Sequence, residues 1–196
     1  LQDLIVSNSP TWVDAATSGW LGALKFNGVN QYATIDLGTD RTDIQVHALV
    51  KVIGATGADQ WIFGGEKSGI RVGPQLRYRD SDLQYVGYVT GSTFLGRAMS
   101  IPSAYVLPDS PRLFQVMYES GRSAGETDRF FLDQNLVETK SDSVGNYLHD
   151  KINIATMTGT MLFSDMEIAA IIITESSNIG DYHLIQIQNL LQSWLP

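Results

Sequence analysis

The chain has 196 residues, of which 21 are acidic and 13 are basic, so its formal net charge at neutral pH is −8. This charge opposes binding to phosphate backbones and to anionic lipid surfaces, so we expect neither a nucleic acid nor a membrane partner. The chain has no cysteine, which excludes disulfides, zinc-thiolate sites and a cysteine nucleophile. Its length and its 18 glycines favour one all-β domain spanning residues 1–196.

The segment from Leu24 to Asp36 combines two stretches of alternating residues with an Asn27-Gly28 turn between them. Asn-Gly is a strong turn signal, and alternation is typical of half-buried strands. We therefore expect two strands whose register this turn sets, with Phe26 and Tyr32 in the core.

Short strand-like runs continue along the chain, separated by Gly, Asp, Asn, Ser and Pro, without a linker or a repeat. In the run from Ile44 to Val52, alternation predicts that Ile44 and Val46 face the core with Gln45 and His47 opposite. The predicted strands lie near residues 22–27, 31–37, 43–53, 60–65, 69–79, 83–90, 93–99, 112–119, 128–133, 152–156 and 161–174.

A helix is predicted at the end of the chain, where apolar residues recur at helical spacing behind Gly180. Asp181 is the predicted N-cap. Trp194 is interpreted as an anchor that packs on the sheet. The apolar stripe consists of Leu184, Ile187, Leu190, Leu191 and Trp194.

The local patterns resemble the laminin G-like or concanavalin A-like lectin/glucanase superfamily, in its bacterial or phage form. The similar segments are Pro10-Thr11-Trp12 followed by Gly19-Trp20, then 23–32, 114–118, 130–137 and 163–173. Asn27 stands where that family more often has Asp, and Gln134 stands where a turn glycine is usual. The resemblance implies a two-sheet antiparallel β-sandwich (jelly roll) with a short C-terminal helix.

Glycosidases of this fold place carboxylates at alternating positions of one strand, and only Asp165 and Glu167 show part of that spacing. The lyase alternative needs a gathered base, but His47, His149 and His183 are scattered along the chain. A strand histidine such as His47 is typical of a structural residue. We therefore expect no catalytic residues, with a polysaccharide hydrolase or lyase kept as an alternative.

Sugar binding needs flat aromatic faces and planar polar groups, which are most concentrated between residues 76 and 88. Asp80-Ser81-Asp82 predicts a hairpin turn, with Arg77 and Arg79 on one face. Guanidinium groups would suit an anionic sugar. The candidate glycan-binding residues are Arg77, Arg79, Gln84, Tyr85, Tyr88 and Trp61; the alternative is that the aromatics fill the core and the arginines only solvate the surface.

Calcium binding is a further expectation from the resemblance, because related domains hold a hard cation at a loop rim. Oxygen ligands could come from Asp40, Asp43, Asp80, Asp82 and Asp109. Turn aspartates also serve backbone hydrogen bonding, so the metal site is left unassigned and no cofactor is required.

The sequence thus favours a non-catalytic, lectin-like domain that binds a surface or extracellular polysaccharide and belongs to an adhesin or a phage virion. The alternative is a structural tail or capsid decoration domain that contacts neighbouring virion or adhesin subunits. Either function implies a location outside the cell or on the virion surface.

Overall fold

A computed structural model of the chain describes residues 4–41, 43–53, 60–68, 70–79, 82–88, 99–101, 109–118, 128–140, 149–156, 163–174 and 181–195. Within these ranges the chain forms fourteen strands and two helices. The strands make two antiparallel sheets of seven strands each, which confirms the predicted all-β sandwich.

The first sheet, sheet A, contains the strand nearest the start of the chain and the β7–β8 hairpin. Its order is β1 (Leu4–Ser7), β4 (Tyr32–Arg41), β13 (His149–Ile154), β6 (Gln60–Lys67), β7 (Ile70–Arg79), β8 (Asp82–Tyr88) and β9 (Met99–Ile101).

The second sheet, sheet B, carries the C-terminal helix on its outward face. Its order is β12 (Asn135–Lys140), β11 (Asp128–Leu132), β10 (Arg112–Tyr118), β5 (Ile44–Val52), β14 (Asp165–Thr174), β3 (Ala23–Asn27) and β2 (Thr11–Val13). The helices are α1 (Ala15–Ser18) and α2 (Asp181–Gln192).

Most predicted strands are confirmed within a few residues, and the exceptions lie at the shortest elements. The strands β1, β2 and β12 and the helix α1 were not predicted, and most of the predicted strand at 93–99 lies outside the described residues. Helix α1 is a single turn whose signals are its caps: Asp14 accepts a hydrogen bond from the Thr17 amide, and Gly19 is left-handed.

The main core lies between the sheets and is built from the inward residues of both. Alternation in β5 is confirmed, because Val46, Ala48 and Val50 belong to this core, whereas Leu49 faces a second, smaller cluster outside sheet B. Phe26 is fully buried, as predicted. Tyr32 is only half-buried, and its ring lies 6.1 Å from that of Phe163, so its predicted core position is wrong.

The Asn27-Gly28 turn does not set the register of a strand pair, and this prediction is wrong. β3 belongs to sheet B and β4 to sheet A, so residues 28–31 cross from one sheet to the other. Asn27 Oδ1 accepts hydrogen bonds from the amides of Val29, Asn30 and Gln31 at 3.0, 3.2 and 3.3 Å. The side chain therefore holds a sheet-to-sheet crossing, for which Asn is as suitable as it is in a hairpin.

Helix α2 packs on the outward face of sheet B. Leu191 joins Leu49 and Leu113 in the smaller cluster, with Ile187 packed against it. The prediction that Trp194 anchors the helix on the sheet is wrong. The residue is 43% exposed and follows the last helical residue, Gln192. The side chain of the predicted N-cap, Asp181, lies outside the described residues.

A buried chain of polar side chains connects the helix to the sheet. Gln188 Nε2 donates to Gln115 Oε1 at 3.1 Å, and Gln115 Nε2 lies 2.8 Å from His47 Nδ1. His47 Nε2 lies 3.3 Å from Gln45 Oε1. These contacts fit a neutral imidazole that accepts at Nδ1 and donates at Nε2. The predicted structural role of His47 is confirmed.

Candidate functional site

Helix α2 packs on sheet B and does not cover the outward face of sheet A. Sheet A contains the predicted β7–β8 hairpin. β7 and β8 pair from Arg79 opposite Asp82 to Gly73 opposite Tyr88. This register confirms the hairpin. Asp82, predicted in the turn, is the first residue of β8, and residues 80 and 81 lie outside the described residues.

Arg77 and Trp61 are the two predicted site residues whose side chains the structure describes. The Arg77 side chain is half-buried, and its Cζ lies 5.2 Å from the centroid of the Trp61 ring. The neighbouring Leu76 belongs to the main core, so Arg77 lies on the outward face, as alternation predicted. Stacking on an indole holds a guanidinium by cation–π attraction and limits its rotamers.

Trp61 does not offer the exposed platform that a sugar would need. The residue is fully buried, and among the described residues its Nε1 has no hydrogen-bond acceptor. Its outward position next to Arg77 instead makes it the support on which the guanidinium rests.

The other four predicted residues can be placed only by backbone register, because their side chains lie outside the described set. Gln84 is opposite Arg77, and Tyr88 is opposite Gly73, so both positions belong to the Arg77 face. Position 85 is opposite Leu76 and belongs to the core-side set. Arg79 follows Arg77 by two residues on the same strand.

A row of buried polar groups crosses the same sheet face and was missed at the sequence level. Thr34 Oγ1 donates to Asn153 Oδ1 at 2.8 Å, and Asn153 Nδ2 donates to Glu66 Oε2 at 2.6 Å. Both Asn153 and Glu66 are buried. The signal that could have indicated this row is the position of Asn153, which stands between the core residues Ile152 and Ile154.

Asp165 and Glu167, the partial carboxylate pair, do not share an accessible cleft. Glu167 is buried, its Oε2 accepts from Trp20 Nε1 at 3.2 Å, and it lies 3.4 Å from Lys51 Nζ. Burial raises the pKa of Asp165, Lys25 opposes this shift, and Glu167 and Asp109 add to it. A sugar cannot lie between these carboxylates while the Trp20 and Lys51 contacts occupy Glu167.

The described histidines do not meet at one site. Burial lowers the pKa of His47 to about 4. His183 is exposed on α2, and its Nδ1 lies 3.3 Å from Gln186 Oε1. The side chain of His149 lies outside the described residues.

Calcium binding stays a prediction. Among the candidate ligands, Asp40 pairs with Lys67 and Asp109 is exposed. Within the described ranges, no three His, Cys, Asp or Glu side chains are grouped to hold a metal ion.

An exposed aromatic residue on sheet B was assigned only a fold role by the sequence pattern. Trp12 is 66% exposed on β2, the last strand of the described sheet. A three-residue strand is too short to show alternation, so the sequence did not indicate which way Trp12 faces. The pairing of β2 with β3 is needed to identify the neighbours of Trp12.

Comparison with known proteins finds the fold among receptor-binding domains of botulinum neurotoxins. The C/D mosaic serotype domain superposes with a TM-score of 0.69 at 9% identity, over 96% of this chain and 46% of that one. The type G domain gives 0.71 at 8% identity, over 97% and 46%. A serotype D ligand-binding domain in complex with N-acetylneuraminic acid gives 0.71 at 8% identity, over 96% and 46%.

This chain therefore spans about half the length of the structures that it matches. At these identities the likeness establishes the β-sandwich fold. No family model and no curated protein matches the sequence. In the described part of the chain, neither helix combines the length and the apolar character needed to cross a bilayer.

Proposed function

We propose that the chain is a non-catalytic, lectin-like domain that binds a glycan outside the cell, and that it acts as one sandwich domain of the concanavalin A-like type. The shared fold with receptor-binding domains supports this proposal, and one of those domains was solved with a bound acidic sugar. The buried, ion-paired state of Glu167 argues against a glycosidase.

The observation that carries the proposal is the position of Arg77, which lies over the Trp61 ring and is partly exposed on the outward face of sheet A. The planar N–H donors of a guanidinium match the geometry of a carboxylate or sulfate, and stacking on Trp61 limits the rotamer freedom that binding would otherwise cost. The backbone register of positions 79, 84 and 88 supports including Arg79, Gln84 and Tyr88 in the proposed site. The ligand class is therefore an acidic glycan.

A glycan array of neutral and acidic oligosaccharides tests the proposal, with Arg77→Met as the key variant. Methionine keeps an unbranched stem over Trp61 but removes the donors, so we expect at least tenfold weaker binding of the acidic glycan. Lys25→Met is the control, because it also removes one positive charge but does so on sheet B, away from the Arg77 site on sheet A. Silence of the unmodified protein across the array, or equal loss in both variants, would contradict the proposed site.

A structural role through protein contacts is the second candidate, because β1 presents apolar side chains to solvent. Leu4, Ile5 and Val6 are all exposed on this outermost described strand of sheet A. Exposed apolar edge strands are sites of pairing with other chains. A stable oligomer by light scattering that Ile5→Lys disrupts, together with a silent array, would favour a virion or adhesin subunit over a lectin.

A further inference from the structure

The indole of Trp12 lies against Gly22, the residue directly before the neighbouring strand β3. Trp12 pairs with Leu24, which puts Gly22 at a diagonal position on the same face. A Cβ added at Gly22 would lie 2.7 Å from Trp12 Cζ2 and 3.4 Å from Cη2. The benzo edge of the ring therefore lies where a side chain at position 22 would be, and Trp12 as a residue is 66% exposed.

An exposed carboxylate, that of Asp14, follows directly after β2, two residues beyond Trp12. Asp14 has extended backbone angles, φ −76° and ψ 168°, so alternation directs it to the face of Trp12. Its Oδ1 accepts a hydrogen bond from the Thr17 amide at 2.7 Å, which restricts its rotation. The hydrogen bond from the Thr17 backbone lowers the pKa of Asp14, so the group is ionised at neutral pH.

An exposed indole face beside a fixed carboxylate matches the chemistry of a pyranose. The apolar C–H face of the sugar covers the ring, while a hydroxyl at the sugar's edge donates to the carboxylate. Residues i and i+2 of a strand are about 6.6 Å apart, which is the scale of one sugar ring and its substituents. The negative charge of Asp14 disfavours carboxylated or sulfated sugars at this position.

We infer that Trp12 and Asp14 form a second ligand site, which binds the apolar face of a neutral pyranose at the edge of sheet B. The site does not depend on the Arg77 site, since it lies on the other sheet and has the opposite charge preference.

Titration of the ¹⁵N-labelled protein with the methyl β-glycosides of glucose, galactose and mannose tests this inference. We expect at least one of them to shift the Trp12 indole resonance saturably, with a dissociation constant on the order of 1–10 mM for a single sugar. In Trp12→Ala, which lacks the indole resonance, the glycoside should no longer shift the backbone amide resonances of the residues around position 12. Trp12→Phe, which keeps an aromatic face, should weaken binding by less than tenfold.

Two further variants test the surroundings of the ring. Asp14→Asn should weaken binding about tenfold, because an amide is a poorer acceptor for the hydroxyl. Gly22→Ala should also weaken binding. The added Cβ would push the Trp12 ring out of its present position, and the ring would then no longer face the sugar in the same way. Arg77→Met should leave this binding unchanged.

The outcomes separate this site from the proposed Arg77 site. Absence of a Trp12 shift with all three glycosides would overturn the inference, whatever the acidic glycans do. Self-association of the unmodified protein that Trp12→Ala removes would also overturn it, since the ring would then pack on a second copy. A saturable Trp12 shift with a silent acidic array would support this site and contradict the one at Arg77.

Discussion

At the residue scale, the structure separates side chains that support the fold from those that can meet a ligand. Trp61 and Trp12 illustrate the difference: the first is buried beneath a guanidinium, and the second is mostly in solvent. Both occur in short strand-like runs, so burial could not be assigned from residue type alone. His47 is a supporting residue, because its neutral ring lies between Gln115 and Gln45.

We predict that His47 makes the protein less stable at mildly acidic pH. Burial lowers its pKa from 6.5 in the unfolded chain to about 4, so protons bind the unfolded state more strongly and stability falls as pH drops from 7 towards 4. At pH 5 the loss amounts to ~2 kcal/mol. The groups that contact the ring from β5 and β10 are glutamines and do not titrate, and neither does Gln188 behind them.

Urea denaturation at pH 7 and pH 5, with His47→Gln as the control variant, measures this effect. The variant should lose most of the difference between the two pH values, even if its stability at pH 7 is lower. Asp165 acts in the opposite direction, because a carboxyl whose pKa is raised by folding favours the folded state as pH falls. An unchanged pH dependence in His47→Gln would contradict the assignment.

At the element scale, helix α2 shows how a periodic pattern predicts an element better than it predicts each contact. The helix was predicted from its apolar stripe, and Leu184 and Leu191 are buried as expected. Leu190 and Trp194 belong to the same stripe, yet both are exposed, because a helix lying on a flat sheet covers only the central part of its apolar face.

We predict that Leu191→Ala destabilises the protein by about 2–4 kcal/mol, through lost burial and the cavity that it leaves against Leu49 and Leu113. The matched control is Leu190→Ala, which removes the same atoms from a side chain that is 50% exposed. Its effect should lie within about 0.5 kcal/mol. Thermal or chemical unfolding of both variants measures the contrast, and similar losses would show that α2 docks differently.

At the scale of the whole molecule, the crossing between β3 and β4 joins the two sheets. Gly28 has φ +67°, and a Cβ there would lie 3.0 Å from the Asp165 amide nitrogen. The crossing therefore packs directly on the start of β14. Only glycine combines the left-handed conformation with this close approach.

We predict that Gly28→Ala is more destabilising than Gly19→Ala. Gly19 has a similar φ of +77°, but an added Cβ there would have no atom of the described residues within 4 Å beyond its chain neighbours. Its replacement should therefore cost only the backbone strain, about 1 kcal/mol. Gly28→Ala adds a contact with rigid backbone and should cost at least ~1 kcal/mol more. Comparing the free energies of unfolding of the two variants tests this, and equal values would show that the crossing can move away from β14.

The sequence by itself determined the strand-rich composition, most strand positions, the β7–β8 hairpin and the terminal helix. These features follow from alternation, helical spacing and turn residues, which act between neighbours along the chain. The tertiary structure alone decided that β3 and β4 lie in different sheets, that α2 covers sheet B, and that Trp61 is buried while Trp12 is exposed. Sheet membership depends on pairing between distant strands, such as β14 with β5 and β3, and local patterns carry no information about which distant partner a strand will choose.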